Sequence, residues 1–104
     1  MPTPDRGEVW MADLGIAAKI RPALVISVPL DPQDRVLVTL IPHTTSIAGT
    51  RFEVVVPKPF LKSGAFDAQG IISVAVPRLI RKLGDLQTSE LALVEDAVKK
   101  WLGF

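Results

Sequence analysis

The feature that most constrains this chain's fold is a series of short apolar runs, rich in Val, Ile and Leu, that Pro and Gly repeatedly interrupt. Such runs are typical of β-strands in a small barrel or sandwich. None approaches the roughly 18 apolar residues of a membrane-spanning helix. The strands predicted from these runs are Gly7 to Leu14, Ala23 to Val28, Arg35 to Ile41, Arg51 to Val56, Gly70 to Val76 and Leu79 to Leu83.

The C-terminal segment changes from the strand period to the helical period of 3.6 residues. Its apolar residues at this spacing are Leu91, Val94, Val98 and Trp101. We expect an amphipathic helix from about residue 88 to 102, capped by Thr88 or Ser89 and ended by Gly103. The sequence therefore predicts a mainly β fold with a C-terminal α-helix, in which five or six short, mostly antiparallel strands close into a small barrel.

Length and composition restrict the further possibilities. At 104 residues, the chain predicts one domain over residues 1–104. A hydrophobic content of 48% is high for so small an interior, and it favours an oligomer interface. The absence of cysteine excludes disulfides and thiolate metal sites. With no apolar N-terminal segment, we expect a cytosolic (cytoplasmic) protein with no membrane partner.

Charge is unevenly distributed along the chain. Residues 19–82 contain nine basic and four acidic residues, a net charge of +5, whereas the segments on either side are each −2. A cationic middle segment suits a polyanionic partner, although a solvated basic face has the same composition.

The segment Lys19-Ile20-Arg21-Pro22 is the first candidate site, because it precedes a buried strand and carries cations. Pro22 favours an extended backbone at Arg21, and a guanidinium binds phosphate with two parallel hydrogen bonds. The alternative is an ordinary ion pair of Arg21 with Asp13 or Glu8.

The second candidate site is the polar sequence Pro42-His43-Thr44-Thr45-Ser46, which follows an apolar strand. A simple turn explains the same residues, because Ser and Thr side chains bond to nearby backbone groups. Neither a Gly-x-Ser-x-Gly motif nor a Gly-rich phosphate loop is present, which disfavours serine-hydrolase and nucleotide-binding chemistry.

RNA cleavage suits these residue types, because the 2′-hydroxyl of the substrate is itself the nucleophile. Arg21 would stabilise charge on phosphorus, and Thr44 would bond to the scissile phosphate. His43 is a possible general base or a solvent-facing loop residue.

Asp31 and Asp34 offer a metal site, but a solvated turn explains them, so we expect no metal or other cofactor. Phe60, in the basic loop 58–62, is a candidate for stacking on a base.

The order of the motifs along the chain is more specific than any one of them. The motifs are Gly7-Glu8-Val9-Trp10, Arg21-Pro22-Ala23-Leu24-Val25-Ile26-Ser27, Ile41-Pro42-His43-Thr44-Thr45-Ser46, Phe52-Glu53-Val54, Gln69 and Arg78 to Leu86. In this order they resemble the MazF/PemK family of toxin endoribonucleases. The resemblance implies an SH3-like barrel that forms a homodimer and cuts single-stranded mRNA at short motifs without a metal. The implied products are a 2′,3′-cyclic phosphate and a 5′-hydroxyl, and a cognate antitoxin is expected to silence the enzyme.

By the same resemblance, the catalytic arginine is Arg21 and the catalytic threonine is Thr44. RNA-binding residues are predicted to be Lys19, His43, Thr45, Ser46, Arg51, Gln69 and Arg78. The loop between the first two strands is shortened to Gly15-Ile16-Ala17-Ala18-Lys19, a departure that bears on cut-site specificity.

Two other functions are compatible with the same fold. One is a CcdB-like toxin that poisons DNA gyrase through protein contacts, and the other is a non-catalytic module that binds RNA or an antitoxin. The sequence leaves open the RNA motif, the antitoxin's identity, the group that takes the 2′-hydroxyl proton and the role of His43.

Overall fold

The computed structural model describes residues 2–15 and 19–104 of the chain. The described secondary structure consists of short strands followed by one α-helix. The strands are β1 (Glu8–Asp13), β2 (Ile20–Val25), β3 (Leu37–Thr44), β4 (Glu53–Val54), β5 (Ala65–Asp67), β6 (Ile72–Ala75) and β7 (Leu79–Asp85), and the helix is α1 (Thr88–Leu102). Two 3₁₀ turns, Ala68–Gly70 and Val76–Arg78, flank β6.

The strands form one antiparallel sheet with the order β4-β5-β3-β2-β1-β7, and β6 pairs with β3 beside this path. The first half of β3 pairs with β6 and its end pairs with β5, so this strand passes through two parts of the sheet. The mainly β, barrel-like fold with a C-terminal helix is confirmed. The expectation of a closed barrel is wrong for the described residues, because β4 and β7 stand at opposite ends of the hydrogen-bonded path.

The core has two parts, one on each side of the curved sheet. Helix α1 covers the larger part through Val94, Ala97 and Val98, which pack with strand residues such as Leu24 and Phe66. The smaller part contains Ala12, Leu14, Ala23, Val25, Val38, Leu40, Val76 and Leu79. The sheet is therefore buried on both faces, which explains the nearly continuous apolar character of β2.

Strand β1 buries residues from both of its faces. Val9 and Ala12 are fully buried, while Trp10 is only partly buried. The pairing of β1 with β7 shifts register between Val9 and Trp10 and again between Met11 and Ala12. A bulge re-aims the following side chains, and for this reason simple alternation could not identify the buried face of this strand.

Helix α1 matches the predicted span, and Gly103 ends it with φ +81° in the left-handed region. The predicted N-cap is wrong. Gln87 occupies that position instead of Thr88 or Ser89, and its backbone N–H donates to Glu90 Oε1 over 2.7 Å. Glu90 thus satisfies an N-terminal amide as well as complementing the helix dipole.

The largest strand corrections lie around the end of β3. The segment 42–46, predicted as a loop after the strand, remains in β3 through Thr44, because His43 pairs with Phe66 and Thr44 with Ala65. The short β5 that supplies these partners was not predicted. Conversely, the predicted strand from Arg51 to Val56 keeps only the two residues of β4.

Among the described residues, no helix combines the length and apolar character needed to cross a bilayer.

Candidate functional site

The two predicted site segments meet where the ladder between β2 and β3 opens. Ala23 pairs with Pro42 at the last paired position of this ladder. The same register, continued by two residues, sets Arg21 opposite Thr44 on one face. Pro22 and Pro42 have no backbone N–H to donate, so the sequence itself weakens hydrogen bonding at this point. The strand ends can separate here and leave a groove between them.

This groove has a volume of about 390 Å³. Its lining residues are Met11, Lys19, Ile20, Arg21, Pro22, His43, Thr44, Thr45, Ser46, Phe60 and Lys62. It therefore brings both predicted catalytic residues together with Lys19, His43, Thr45 and Ser46. We call it the Arg21 groove.

Arg21 lies in the Arg21 groove, and none of the described carboxylates forms an ion pair with it. Its Nε atom is buried and has no hydrogen-bond partner among the described residues. The alternative sequence interpretation, an ion pair with Asp13 or Glu8, is wrong: Asp13 Oδ2 lies 3.6 Å from the Arg78 guanidinium, and Glu8 Oε2 lies 3.1 Å from Lys82 Nζ. A buried guanidinium nitrogen without an acceptor is costly, which indicates that this side chain is suited to an anionic ligand.

Thr44 is fixed at the end of β3 by its own hydroxyl. Its Oγ1 accepts a hydrogen bond from the backbone N–H of Ser46 over 3.0 Å. This local bond holds the side chain at the rim of the Arg21 groove. The hydroxyl itself donates to the Ser46 carbonyl oxygen over 3.5 Å, a long and therefore weak hydrogen bond that a phosphate oxygen can replace.

His43 is a buried residue at the edge of the Arg21 groove, with only 4% of its surface exposed. Its ring packs edge-to-face against Phe66, with the ring centroids 5.1 Å apart. Burial lowers the pKa of His43 below its ordinary value, because desolvation disfavours the imidazolium. The imidazole is therefore neutral at pH 7 and adds no positive charge to the groove.

Gly64 supports the floor beneath His43 and Thr44. A Cβ atom at this position would stand 2.1 Å from the carbonyl oxygen of Thr44 and 2.8 Å from Cε1 of His43. Because the nearer atom belongs to the backbone, no side-chain rotation relieves the clash. Gly64 thus permits the loop after β4 to pass directly against the end of β3.

The Arg21 groove is cationic. Three of its lining side chains are basic, namely Lys19, Arg21 and Lys62, and no carboxylate occurs among its described lining residues. Positive groups that face one cleft attract a polyanion. Lys62 was missed in the sequence prediction because it lies in a loop, where no periodic pattern points to a site.

Three predicted RNA-binding residues do not line the Arg21 groove. Arg51 places its guanidinium carbon 4.6 Å from the ring centroid of Phe52. Gln69 is exposed in the first 3₁₀ turn, and its backbone N–H donates to Asp67. Arg78 faces Asp13. Their contribution to RNA binding stays a prediction.

The loop that follows Ser46 is organised by a carboxylate. Glu53 accepts hydrogen bonds from the backbone N–H groups of Ala48, over 2.9 Å, and Thr50, over 2.7 Å. These bonds lower the pKa of Glu53 below its ordinary value. Glu53 therefore gives the exposed loop beside the groove a defined backbone shape.

The remaining sequence candidates are placed as follows. The Phe60 ring borders the groove but also packs against Gly84 and the core. Asp34 accepts a hydrogen bond from the Asp31 backbone N–H, as in a turn. In the part of the chain that the structure describes, no cluster of three His, Asp or Glu side chains is arranged to bind a metal. Residues 16–18 of the shortened loop lie outside the described residues.

Comparison with solved structures places the chain in a barrel-like toxin fold. A MazE–MazF complex from Deinococcus radiodurans contains a similar chain, with a TM-score of 0.83, 27% identity, and coverage of 100% of this chain and 99% of that one. An endoribonuclease from mycobacterial species gives a TM-score of 0.81 at 22% identity, covering 100% and 95%. A mycobacterial endoribonuclease in complex with its cognate antitoxin gives 0.82 at 23%, covering 97% and 96%.

The sequence comparison identifies the family within this fold. Residues 5–102 match the family described as PemK-like, MazF-like toxin of type II toxin-antitoxin system. The chain belongs to this family. The resemblance inferred from the order of the motifs is thereby confirmed.

Proposed function

We propose that this protein is a toxin endoribonuclease that cleaves single-stranded mRNA at short sequence motifs in the Arg21 groove. The observation that carries the proposal is the buried Arg21 Nε, which has no hydrogen-bond partner among the described residues and lies in a groove with two further cations and no described carboxylate. Family membership and the similar structures described as endoribonucleases support the same activity.

The proposed reaction is an internal transesterification. The 2′-hydroxyl oxygen attacks phosphorus and loses its proton, the bond from phosphorus to the 5′-oxygen breaks, and that oxygen gains a proton. The products are a 2′,3′-cyclic phosphate and a 5′-hydroxyl. Arg21 stabilises the added negative charge on the phosphoryl oxygens, and the Thr44 hydroxyl donates to one of them and orients the group. Because these side chains supply the positive charge and the donor, the reaction is proposed to need no metal.

We also propose that the toxin is a homodimer silenced by a cognate antitoxin. Exposed apolar side chains, among them Val28, Leu30, Val36 and Leu37, offer surface for association. Similar chains occur in MazE–MazF complexes and in an endoribonuclease–antitoxin complex. Sedimentation at micromolar concentration should give a dimer, and an active monomer would contradict this part of the proposal.

The experiment is incubation of a long single-stranded RNA with the purified protein in excess EDTA, followed by mass spectrometry of the fragment ends. We expect discrete fragments with 2′,3′-cyclic phosphates. Thr44→Ala should slow cleavage about 10–100-fold, the effect of losing a hydrogen bond to a charged group, and a 2′-deoxy nucleotide should block cleavage at its own position. Intact RNA, or trapped gyrase instead, would contradict the proposal.

A further inference from the structure

The loop between β4 and β5, residues 55–64, is anchored to the rest of the fold on its first side. Lys58 Nζ lies 2.7 Å from Glu90 Oε1 at the start of α1, and both side chains are largely covered. The backbone N–H of Leu61 donates to the Lys58 carbonyl over 3.1 Å, closing a turn with Pro59 inside it. The positive charge of Lys58 is thus paired with Glu90 within the protein.

The centre of the same loop is held by an aromatic contact. The Phe60 ring lies so close to β7 that a Cβ atom at Gly84 would meet it at 2.4 Å. Leu61 packs against the core cluster under α1. Together with the close approach of Gly64 to Thr44, these contacts fix the loop on both sides of Lys62.

Lys62 differs from its anchored neighbours. It is exposed, lines the Arg21 groove and forms no ion pair with any described carboxylate. It also lines a second depression of about 220 Å³, formed by residues 55–58 and 61–64, and it is the one described residue that borders both. Lys62 therefore stands at the boundary between the groove and the second depression.

We propose that Lys62 is an RNA-binding residue that contacts a backbone phosphate of a nucleotide flanking the cleaved one, where the RNA passes from the Arg21 groove into the second depression. This inference rests on the proposed function. Lys62 has a fixed loop beneath it and no competing counter-ion in the described structure, so its ammonium group is available to a phosphate. Its role is binding rather than chemistry, because Arg21 and Thr44 occupy the strand ends.

The test is the salt dependence of RNA binding. The probe is a fully 2′-O-methylated strand with a sequence that the wild-type protein cleaves, so that binding is measured without turnover. For single strands, each neutralised phosphate contributes about −0.7 to the slope of log K against log salt concentration. We expect Lys62→Ala to reduce the size of this slope by about 0.7 and Lys62→Arg to restore it.

The matched control is Lys99→Ala, which removes the same charge from an exposed position on α1 outside the groove. We expect Lys99→Ala to leave the slope unchanged, and Lys62→Ala to raise the KM for RNA cleavage while leaving kcat unchanged. An unchanged slope in Lys62→Ala, or an equal decrease in Lys99→Ala, would overturn the inference while wild-type cleavage still supported the proposed function. A wild-type protein that neither binds nor cleaves RNA would overturn both.

Discussion

The Arg21 groove and the face formed by β1 and β7 both contain basic side chains, but among the described residues only the β1–β7 face pairs them with carboxylates. On the β1–β7 face, Lys82 lies 3.1 Å from Glu8 and 3.2 Å from Asp85, and Arg78 faces Asp13. In the groove, Arg21 and Lys62 form no ion pair among the described residues. We infer from this difference that a cation paired within the fold has a structural role. A cation without a partner at a cleft is instead available to bind an external anion.

Of the changes that test this difference between the two regions, replacement of Arg21 is expected to have the largest effect. Arg21→Ala should lower the cleavage rate about 10²–10³-fold, the usual cost of removing one group that stabilises transition-state charge. Arg21→Lys should recover only part of the rate, because an ammonium lacks the planar pair of donors. The measurement is single-turnover cleavage in EDTA. The control is Lys82→Gln, which removes a paired cation and should leave the rate within about 2-fold, since exposed ion pairs contribute little.

The second prediction compares glycines beneath the two regions. Gly64→Ala should lower the free energy of unfolding by about 1–3 kcal/mol or more, because its methyl group meets the Thr44 carbonyl. In Gly84→Ala, on β7, the added methyl group meets the Phe60 side chain instead. This variant should lower the free energy of unfolding by less, since a ring can move. Urea denaturation checks the order. A Gly84→Ala variant less stable than Gly64→Ala would show that the groove floor is not the more rigid of the two.

Acid titration should reduce the stability contributed by the two regions in different pH ranges. Burial lowers the pKa of His43 from its ordinary 6.5. As the pH falls, the imidazole is therefore protonated at a higher pH in the unfolded chain than in the folded one. The stability that results is complete above pH 6.5 and is lost as the pH falls toward the lower folded pKa, by at most about 1.4 kcal/mol per pH unit. Urea midpoints of the wild type and His43→Gln between pH 5 and 8 measure the effect, and an equal slope in both proteins would contradict it.

The β1–β7 face should respond only at lower pH. Burial opposes ionisation of Glu8, but hydrogen bonds from the Asp5 backbone, Trp10 and Lys82 outweigh it and lower the pKa of Glu8 below 4.5. Its stabilisation is therefore present above pH 4.5 and is lost as the pH falls through the folded value. In Glu8→Gln, the change in urea midpoint below pH 4.5 should be smaller than in the wild type.

The smallest effect is expected in the loop after Ser46. Glu53→Gln keeps one acceptor oxygen instead of a carboxylate, so the amides of Ala48 and Thr50 should exchange with solvent faster at pH 7. Exchange measured by NMR checks this, with the Gln69 amide as an internal control. Unchanged exchange at both positions would show that the loop keeps its shape without Glu53.

Local sequence pattern predicted the parts of this molecule that depend on local geometry. The helical period identified α1 over residues 88–102, and the order of motifs identified the family. The end of β3 was predicted as a loop because its pairing partner, β5, has three residues and lies more than 20 positions away in the chain. A pairing of that kind leaves no periodic signal around His43 and Thr44.

The same limit applies to the candidate site. Arg21 and Thr44 were selected by residue chemistry and family resemblance, and the β2–β3 register then brought their positions together. Lys62 had no such signal, because its place in the groove depends on three contacts made by its neighbours with α1, β7 and β3. Long-range packing of this kind becomes visible only in three dimensions.

The most direct test of the central claim is to observe the Arg21 side chain while RNA is bound. The Arg21 Nε–H resonance, assigned by its loss in Arg21→Lys, should shift on titration with a 2′-O-methylated single strand, because the unpartnered nitrogen gains a phosphate acceptor. The side-chain resonance of Lys82, which is paired with Glu8 and Asp85 on the β1–β7 face, should not shift. An Arg21 resonance that does not move when the RNA is fully bound would contradict the assignment of the Arg21 groove as the RNA-cleaving site.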